Sequence, residues 1–375
     1  MIYLDNAATT LQKPPAVAAA VVGAMSRAAS PGRGGHQWGK TAAQIAFSCR
    51  EAAAQLFHVT NPEQVIFTFN ATHGLNIAIH SMVKPGSRVL ISGYEHNAVT
   101  RPLYAMDDVE VRIAAAAPFD VSGIVQSFQR EINLGADVVI CTHISNVFGF
   151  ILPIDEIAAL CRQRSIPFLI DASQSAGCVP IDFTALGAEF VAMPGHKGLY
   201  GPQGTGLLLC KKEALPFMYG GTGSVSALQE MPDFLPDRLE AGTPNIPGIA
   251  GLNEGIRFIS SIGVSNIGSY EKSLIQKFGS FLRDQPGIQP FISPSPDVQS
   301  GVLSFCMEGL DCERVGEWLS HHGVAVRAGL HCAPSAHQSA DTLKQGTVRA
   351  SVSCFNTMDE VAQAAGCIHR LLKNH

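Results

Sequence analysis

Glu189-Phe-Val-Ala-Met-Pro-Gly-His-Lys-Gly-Leu-Tyr-Gly-Pro-Gln-Gly-Thr-Gly-Leu-Leu-Leu-Cys210 is the stretch from which the rest of the chain is read. Two apolar runs of strand length, Phe190 to Met193 and Leu207 to Leu209, flank a loop dense in glycine and proline. At its centre His196-Lys197 stands where a buried strand gives way to tight turns. Lysine is seldom buried unless it is paired or chemically used. Desolvation lowers the pKa of its amine and prepares it for a Schiff base with an aldehyde cofactor. A solvated loop lysine among turn glycines would give the same letters, so the decision falls to the flanking sequence.

On the N-terminal side, strand-like and helix-like segments alternate. Val65–Phe69, Val89–Ser92, Val109–Ile113, Val138–His143, Phe168–Asp171, Phe190–Met193 and Gly206–Leu209 read as strands. Helices such as Pro153–Arg164, and one starting near His96, lie between them. Continuous apolar strands separated by helices indicate an α/β fold with a largely parallel sheet covered on both faces. Ligands of such sheets collect beyond the C-terminal strand ends. That rule brings Thr72, His96, Asn146, Asp171 and Lys197 to one rim. Upstream, Leu4–Thr10 reads as an N-terminal arm, Pro14-Pro15 as a helix start, Ser30–Gly35 as a loop and Thr41–Phe57 as a helix. Downstream, a loop over Met231–Pro247 precedes a helix over Ile249–Ile262. From Gly287 shorter strands (Val302–Phe305, Val324–Arg327, Thr347–Val352) and helices (Cys312–His322, Met358–Leu372) follow. The expected division is an arm over 1–14, a large α/β domain over 15–248 and a smaller α+β domain over 249–375.

Composition narrows the function classes. A chain of 375 residues with 46% hydrophobic and 15% charged residues suits a compact globular protein with a large core. The net charge of -5 supplies no basic stripe, which speaks against nucleic acid as a partner. The start of the chain lacks the pattern of a signal peptide, and the apolar run Ala16–Met25 is too short to span a bilayer. Ten cysteines without CxxC pairs argue against a zinc site and against a disulfide framework, and fit a reducing cytoplasm.

Several groups carry chemistry. Asn70-Ala-Thr-His-Gly74, between strand and helix, would offer backbone N–H groups and a hydroxyl, that of Thr72, to an anion. A simple helix cap explains the same residues. Asp171, ending a buried strand, could hold a protonated pyridine nitrogen or could cap a helix. His96 could stack on an aromatic cofactor. Gly201-Pro-Gln-Gly-Thr-Gly206 is no dinucleotide loop, because a strand rather than a helix follows it. Cys332, in Arg327-Ala-Gly-Leu-His-Cys332, lies in a loop beside a histidine and near an arginine, surroundings that could favour a thiolate. Arg349 suits a bidentate grip on a carboxylate.

Taken together, Tyr3–Thr10, Glu95-His96, His143-Ile-Ser-Asn146, Asp171-Ala-Ser-Gln174, Gly195-His-Lys197, Tyr200-Gly-Pro202, Glu240-Ala-Gly-Thr-Pro244 and Arg349-Ala-Ser351 resemble the cysteine desulfurases. These form part of the class V aminotransferase group of fold type I pyridoxal phosphate enzymes. The likeness runs almost end to end, and Arg327-x-Gly-x-His-Cys332 is similar to the shorter-loop branch. The resemblance implies a large, mostly parallel seven-stranded sheet domain and a smaller C-terminal domain. It implies a pyridoxal 5'-phosphate cofactor bonded to Lys197, with Asp171 at the pyridine nitrogen, Gln174 at the phenolic oxygen and His96 stacked on the ring. It puts the phosphate with Ala71, Thr72 and His196, and with Thr243 from the neighbouring subunit of a homodimer. Asn146 and Arg349 would bind the substrate carboxylate, and Cys332 would take the sulfur of L-cysteine as a persulfide, releasing alanine. A sulfur-acceptor protein is implied as partner. Selenocysteine lyase, another β-lyase or an aminotransferase would use the same scaffold; a non-catalytic partner protein would not need these residues. Pro194, His73 and Ala71 depart from the family pattern, Pro194 by removing a hydroxyl contact to the phosphate.

Overall fold

The computed structural model describes residues 1–32, 35–211 and 214–373. Arg33 and Gly34, in the loop expected over 30–35, lie outside the described residues. In chain order the strands are β1 (Ile2–Tyr3), β2 (Val65–Thr68), β3 (Arg88–Ser92), β4 (Glu110–Ala114), β5 (Val138–Thr142), β6 (Phe168–Asp171), β7 (Phe190–Pro194), β8 (Gly206–Cys210), β9 (Ile288–Pro290), β10 (Val302–Met307), β11 (Val324–Ala325), β12 (Arg327–Gly329) and β13 (Thr347–Ser351). Helices α1 (Pro15–Arg27) and α2 (Gln37–Leu56) precede the first long strand. α3 (Ala71–Met82), α4 (Asn97–Tyr104), α5 (Val121–Asn133), α6 (Ile154–Gln163) and α7 (Phe183–Leu186) alternate with the strands. α8 (Ile246–Ile262), α9 (Val264–Arg283), α10 (Cys312–His321), α11 (Pro334–Ser339) and α12 (Met358–Lys373) complete the chain.

Seven strands form one sheet in the order β2-β8-β7-β6-β5-β3-β4. Only β8 runs against its neighbours, so the C-terminal ends of the other six share one rim. Alternation along the strands explains the layers. Val89, Ile91, Ile140 and Leu208 pack with α3 and α4 on one face. Leu90, Val139, Cys141, Ile170 and Leu209 pack with α2, α5 and α6 on the other. Both faces bury apolar side chains, which is why these strands read as unbroken hydrophobic runs.

A four-stranded antiparallel sheet, β12-β13-β10-β9, carries the C-terminal body with α9, α10 and α12. Ile249, Leu252, Ile256 and Ile259 of α8 pack in the large-sheet core, so apolar packing joins α8 to that body. The second cluster takes up Leu274, Phe278 and Leu282 of α9 and draws in Leu4 from the arm, whose β1 pairs with β11. Helix α9 has no counterpart in the sequence reading. Gly263 there, at φ 93°, ends α8 and caps α9 at once, so a stop signal hides an immediate restart.

Candidate active site

Strand ends and the N-termini of α3 and α4 build a cleft of about 510 Å³ at the shared rim. Its lining includes Ala71, Thr72, His96, Asn146, Asp171, Gln174, His196 and Lys197. The cleft thus assembles eight of the expected site residues from five separate segments.

The anion-binding end is set by α3. Asn70, in extended conformation, accepts the N–H of His73 at 2.9 Å as N-cap. The N–H groups of Ala71 and Thr72 have no partner among the described residues, and the positive end of the helix dipole adds to them. Gly206 of β8 makes this approach possible, because a Cβ there would lie 2.9 Å from the carbonyl carbon of Asn70. Pro194, at the end of β7, lines the same cleft with neither hydroxyl nor N–H to offer.

Across the cleft, Asp171 is 2% exposed, and its Oδ1 accepts the N–H of Ser173 at 2.9 Å. Its other oxygen has no hydrogen bond among the described residues. His96 caps α4: Nδ1 accepts the N–H of Ala98 at 3.0 Å, so the proton of the ring is on Nε2. Burial, reinforced by the Lys197 and Arg349 charges against the pull of Asp171, holds this imidazole below the usual histidine value. The ring is therefore neutral, with its faces free to stack. Gln174 Nε2 donates to the carbonyl of Ala7 at 3.0 Å.

Lys197 is half-buried, and no hydrogen bond or ion pair to its Nζ occurs among the described residues. Burial brings its pKa down to about 8; Asp171 opposes this and Arg349 and Arg327 add to it. Its backbone is tied to the N-terminal arm. Thr10 Oγ1 donates to the Lys197 carbonyl at 3.0 Å, while Thr10 N and Lys13 Nζ donate to the His196 carbonyl at 3.2 and 2.7 Å. His196 Nδ1 meets Thr9 Oγ1 at 3.0 Å, and burial lowers its pKa to about 4. Lys13 escaped the sequence reading; the only signal was its place between the Thr9-Thr10 pair and Pro14.

Under the rim lies Glu95, fully buried, with Oε1 accepting from Ser92 Oγ and from Thr142 N at 2.8 Å. Its Oε2 has no partner, and burial raises the carboxyl to about 8. Glu95 is thus a neutral brace between the ends of β3 and β5 at neutral pH.

Asn146 joins the cleft to the smaller body. Its Nδ2 donates to the carbonyl of His331 at 2.8 Å, and its carbonyl accepts Arg349 Nη1 at 3.0 Å. Arg349, 2% exposed, stands just behind the cleft wall. Cys332 is exposed and outside the lining, and its carbonyl accepts the N–H of Asn97, next to His96, at 2.8 Å. His331 and Cys332 occupy the left-handed region at φ 50° and 56°. Two such non-glycine residues cost on the order of 1–3 kcal/mol each, a local strain typical of functional loops. The expectation that the histidine beside Cys332 promotes a thiolate is corrected. His331 is buried against Thr347, and burial pushes its pKa to about 2, so it carries no charge. Thr243 is exposed and lies outside the cleft, beside a separate pocket with Phe69, His73 and Met218.

The residues present fit pyridoxal phosphate. A half-buried amine without a partner faces a buried carboxylate with a free oxygen, and the cleft ends in unpaired backbone N–H groups suited to a phosphate. All ten cysteines are free, and no metal-holding cluster occurs among the described residues.

The aminotransferase class-V family profile matches residues 2–363. A probable cysteine desulfurase of Pyrococcus abyssi is 31% identical, with 100% of this chain and 95% of that protein aligned. A probable cysteine desulfurase of Mycolicibacterium paratuberculosis is also 31% identical over 99% of this chain, which spans only 55% of that relative's length. Among solved structures, the apo cysteine desulfurase of Thermococcus onnurineus NA1 superposes with a TM-score of 0.90 at 29% identity. That match covers 100% of this chain and 95% of the other. With the pyridoxal phosphate-type cleft, these likenesses mean that the chain belongs to the class-V aminotransferase family, among its cysteine desulfurases.

Proposed function

We propose that the protein is a pyridoxal phosphate-dependent cysteine desulfurase, converting L-cysteine to L-alanine with a persulfide left on Cys332. The observation that carries this is the meeting of an unpaired Lys197 amine and the Asp171 carboxylate in one cleft whose rim is tied to the Cys332 loop. When bound, the cofactor supplies an aldehyde for the amino group and a protonated ring that withdraws electrons from the substrate α-carbon.

The chain's own residues do the rest. Lys197 would hold the cofactor, and its amine, with a pKa of about 8, suits it to take a proton from the substrate α-carbon near neutral pH. Asp171 would hold the ring nitrogen, Gln174 the phenolic oxygen and His96 the ring itself. Ala71, Thr72 and His196 would hold the phosphate. Arg349 and Asn146 receive the substrate carboxylate. Cys332 loses its proton, and its Sγ forms a bond to the substrate sulfur. The Cβ–S bond breaks, its electron pair staying on the substrate carbon, where a proton completes alanine.

The exposed Cys332 suits delivery of sulfur to an acceptor protein. A second copy of the chain would cover exposed Phe69, Phe217 and Tyr219 and bring Thr243 to the neighbouring phosphate. Seven buried free thiols suit the reducing cytoplasm, and no helix among the described residues is long and apolar enough to cross a membrane.

The test is alanine formation from L-cysteine and from L-selenocysteine, by wild type and Cys332→Ala, with sedimentation to establish the oligomer. Loss of cysteine turnover in Cys332→Ala supports the persulfide role. Full turnover of both substrates without the thiol would make the protein a lyase instead.

A further inference from the structure

Arg349, read above as the grip on the substrate carboxylate, does not stand free. Nη2 donates to Asp5 Oδ1 at 2.7 Å, Nη1 donates to the Asn146 carbonyl, and buried Nε has no partner among the described residues. Across the β12–β13 ladder Arg327 is in register with Arg349. Like charges opposite one another on one sheet face repel. Asp5 is the one carboxylate ion-paired to either arginine among the described residues. Two arginines and one acid leave a positive charge over, which attracts an anion.

Asp5 is itself fixed to the strand that bears Arg349. It bridges Ser351 of β13; Asn6 Nδ2 donates to the Ser351 carbonyl at 3.0 Å, and Ala7 N to Ser351 Oγ at 2.8 Å. The carboxylate and guanidinium therefore approach from two backbones held in register, the one 20% exposed and the other 3%. Farther along the arm, Thr9, Thr10 and Lys13 clasp His196 and Lys197 through bonds in which the Asp5 carboxylate takes no part; Asp5 meets Thr9 only through its backbone carbonyl.

We propose that Asp5 is a positioning residue for the substrate: by holding one edge of Arg349 against Arg327, it keeps the remaining guanidinium donors set for the substrate carboxylate. This rests on the reading of Arg349 as the carboxylate group. Since the lysine clasp does not involve the Asp5 carboxylate, loss of that carboxylate is felt in substrate affinity and not in cofactor retention or the chemical step.

The experiment uses holoenzyme of wild type, Asp5→Asn, Asp5→Glu and Arg349→Gln. It measures KM and kcat for L-cysteine, the inhibition constant of propionate (a carboxylate without an amine), and the cofactor absorbance response to cysteamine (an amine and thiol without a carboxylate). Asp5→Asn is expected to raise KM and the propionate constant about tenfold, the worth of one charge-assisted hydrogen bond, with kcat within about twofold. The cysteamine response stays at wild type, and Asp5→Glu recovers part of the loss. An unchanged or lower KM in Asp5→Asn overturns the proposal, a lower one making Asp5 a competitor of the substrate. An altered cysteamine response overturns it too, since the effect would then not be confined to the carboxylate. If Asp5→Asn does not fold, an Asp5→Glu enzyme with wild-type KM and propionate constant overturns the proposal. If Arg349→Gln binds propionate as wild type does, the Arg349 reading fails first and Asp5 with it.

Discussion

The loop after β7 and the loop after β12 carry the two reactive groups assigned here, and they are built in opposite ways. Lys197 sits on a segment clasped by the arm, flanked by buried Gly195 and Leu199, with its amine turned into a cleft. Cys332 sits exposed on two left-handed residues, in a loop joined to the cofactor side by a backbone bond to Asn97 and by the Asn146 bond to His331. A group that remains bonded to its cofactor gains from immobility and a low-dielectric setting. A thiol that receives sulfur inside and hands it on outside needs exposure. Under the proposed function, the contrast places cofactor chemistry on a rigid sheet rim and sulfur delivery on a strained surface loop.

The most drastic way to test this division is Lys197→Ala. Loss of turnover by more than about 10³-fold is expected, because both the cofactor bond and the proton carrier go. Cofactor absorbance after gel filtration should fall as well. Cys332→Ala separates the halves: persulfide formation disappears while cofactor absorbance and its response to cysteine persist. If Cys332→Ala also lost the cofactor, the two loops would not be independent.

A gentler probe lies beneath the rim. The Glu95 carboxyl is raised from 4.5 to about 8 by burial. A raised folded-state pKa gives stability that is full below the unfolded value and is lost as pH rises through the folded one. Wild type should therefore lose this contribution between about pH 4.5 and 8, while Glu95→Gln does not. The difference in Tm, variant minus wild type, should rise with pH across that window and level off above it; a flat difference would refute a neutral brace. On the acid side His331, His196 and His143, held neutral by burial with pKa values of about 2, 4 and 3, contribute oppositely. Their stabilising effect is present above about 6.5 and falls away on acidification.

Smallest of all, Gly206→Ala presses a methyl group against the Asn70 backbone and Thr68 Oγ1. A loss of about 1–3 kcal/mol in stability is expected, with weaker cofactor retention and an unaltered Cys332 loop, checked by denaturant unfolding and by thiol labelling.

Legibility followed the range of the interactions. The apolar strand runs, the proline at the start of α1 and the rim rule brought Thr72, His96, Asn146, Asp171 and Lys197 together from sequence, because each depends on neighbours close in the chain. α9 was hidden because Gly263 both stops one helix and starts the next. Lys13, the neutral state of His331 and the Asp5–Arg349 pair were not legible, since each is made by partners far apart in sequence.

Local pattern and residue chemistry determined by themselves that this chain forms a covered parallel sheet presenting a lysine and a carboxylate, with a thiol in a later loop. The tertiary structure alone decided which of these share a cleft, which histidines stay uncharged and which acid steadies Arg349. The physical reason is that strand and helix periodicity act over a few residues. Desolvation and charge pairing depend on where distant backbones meet.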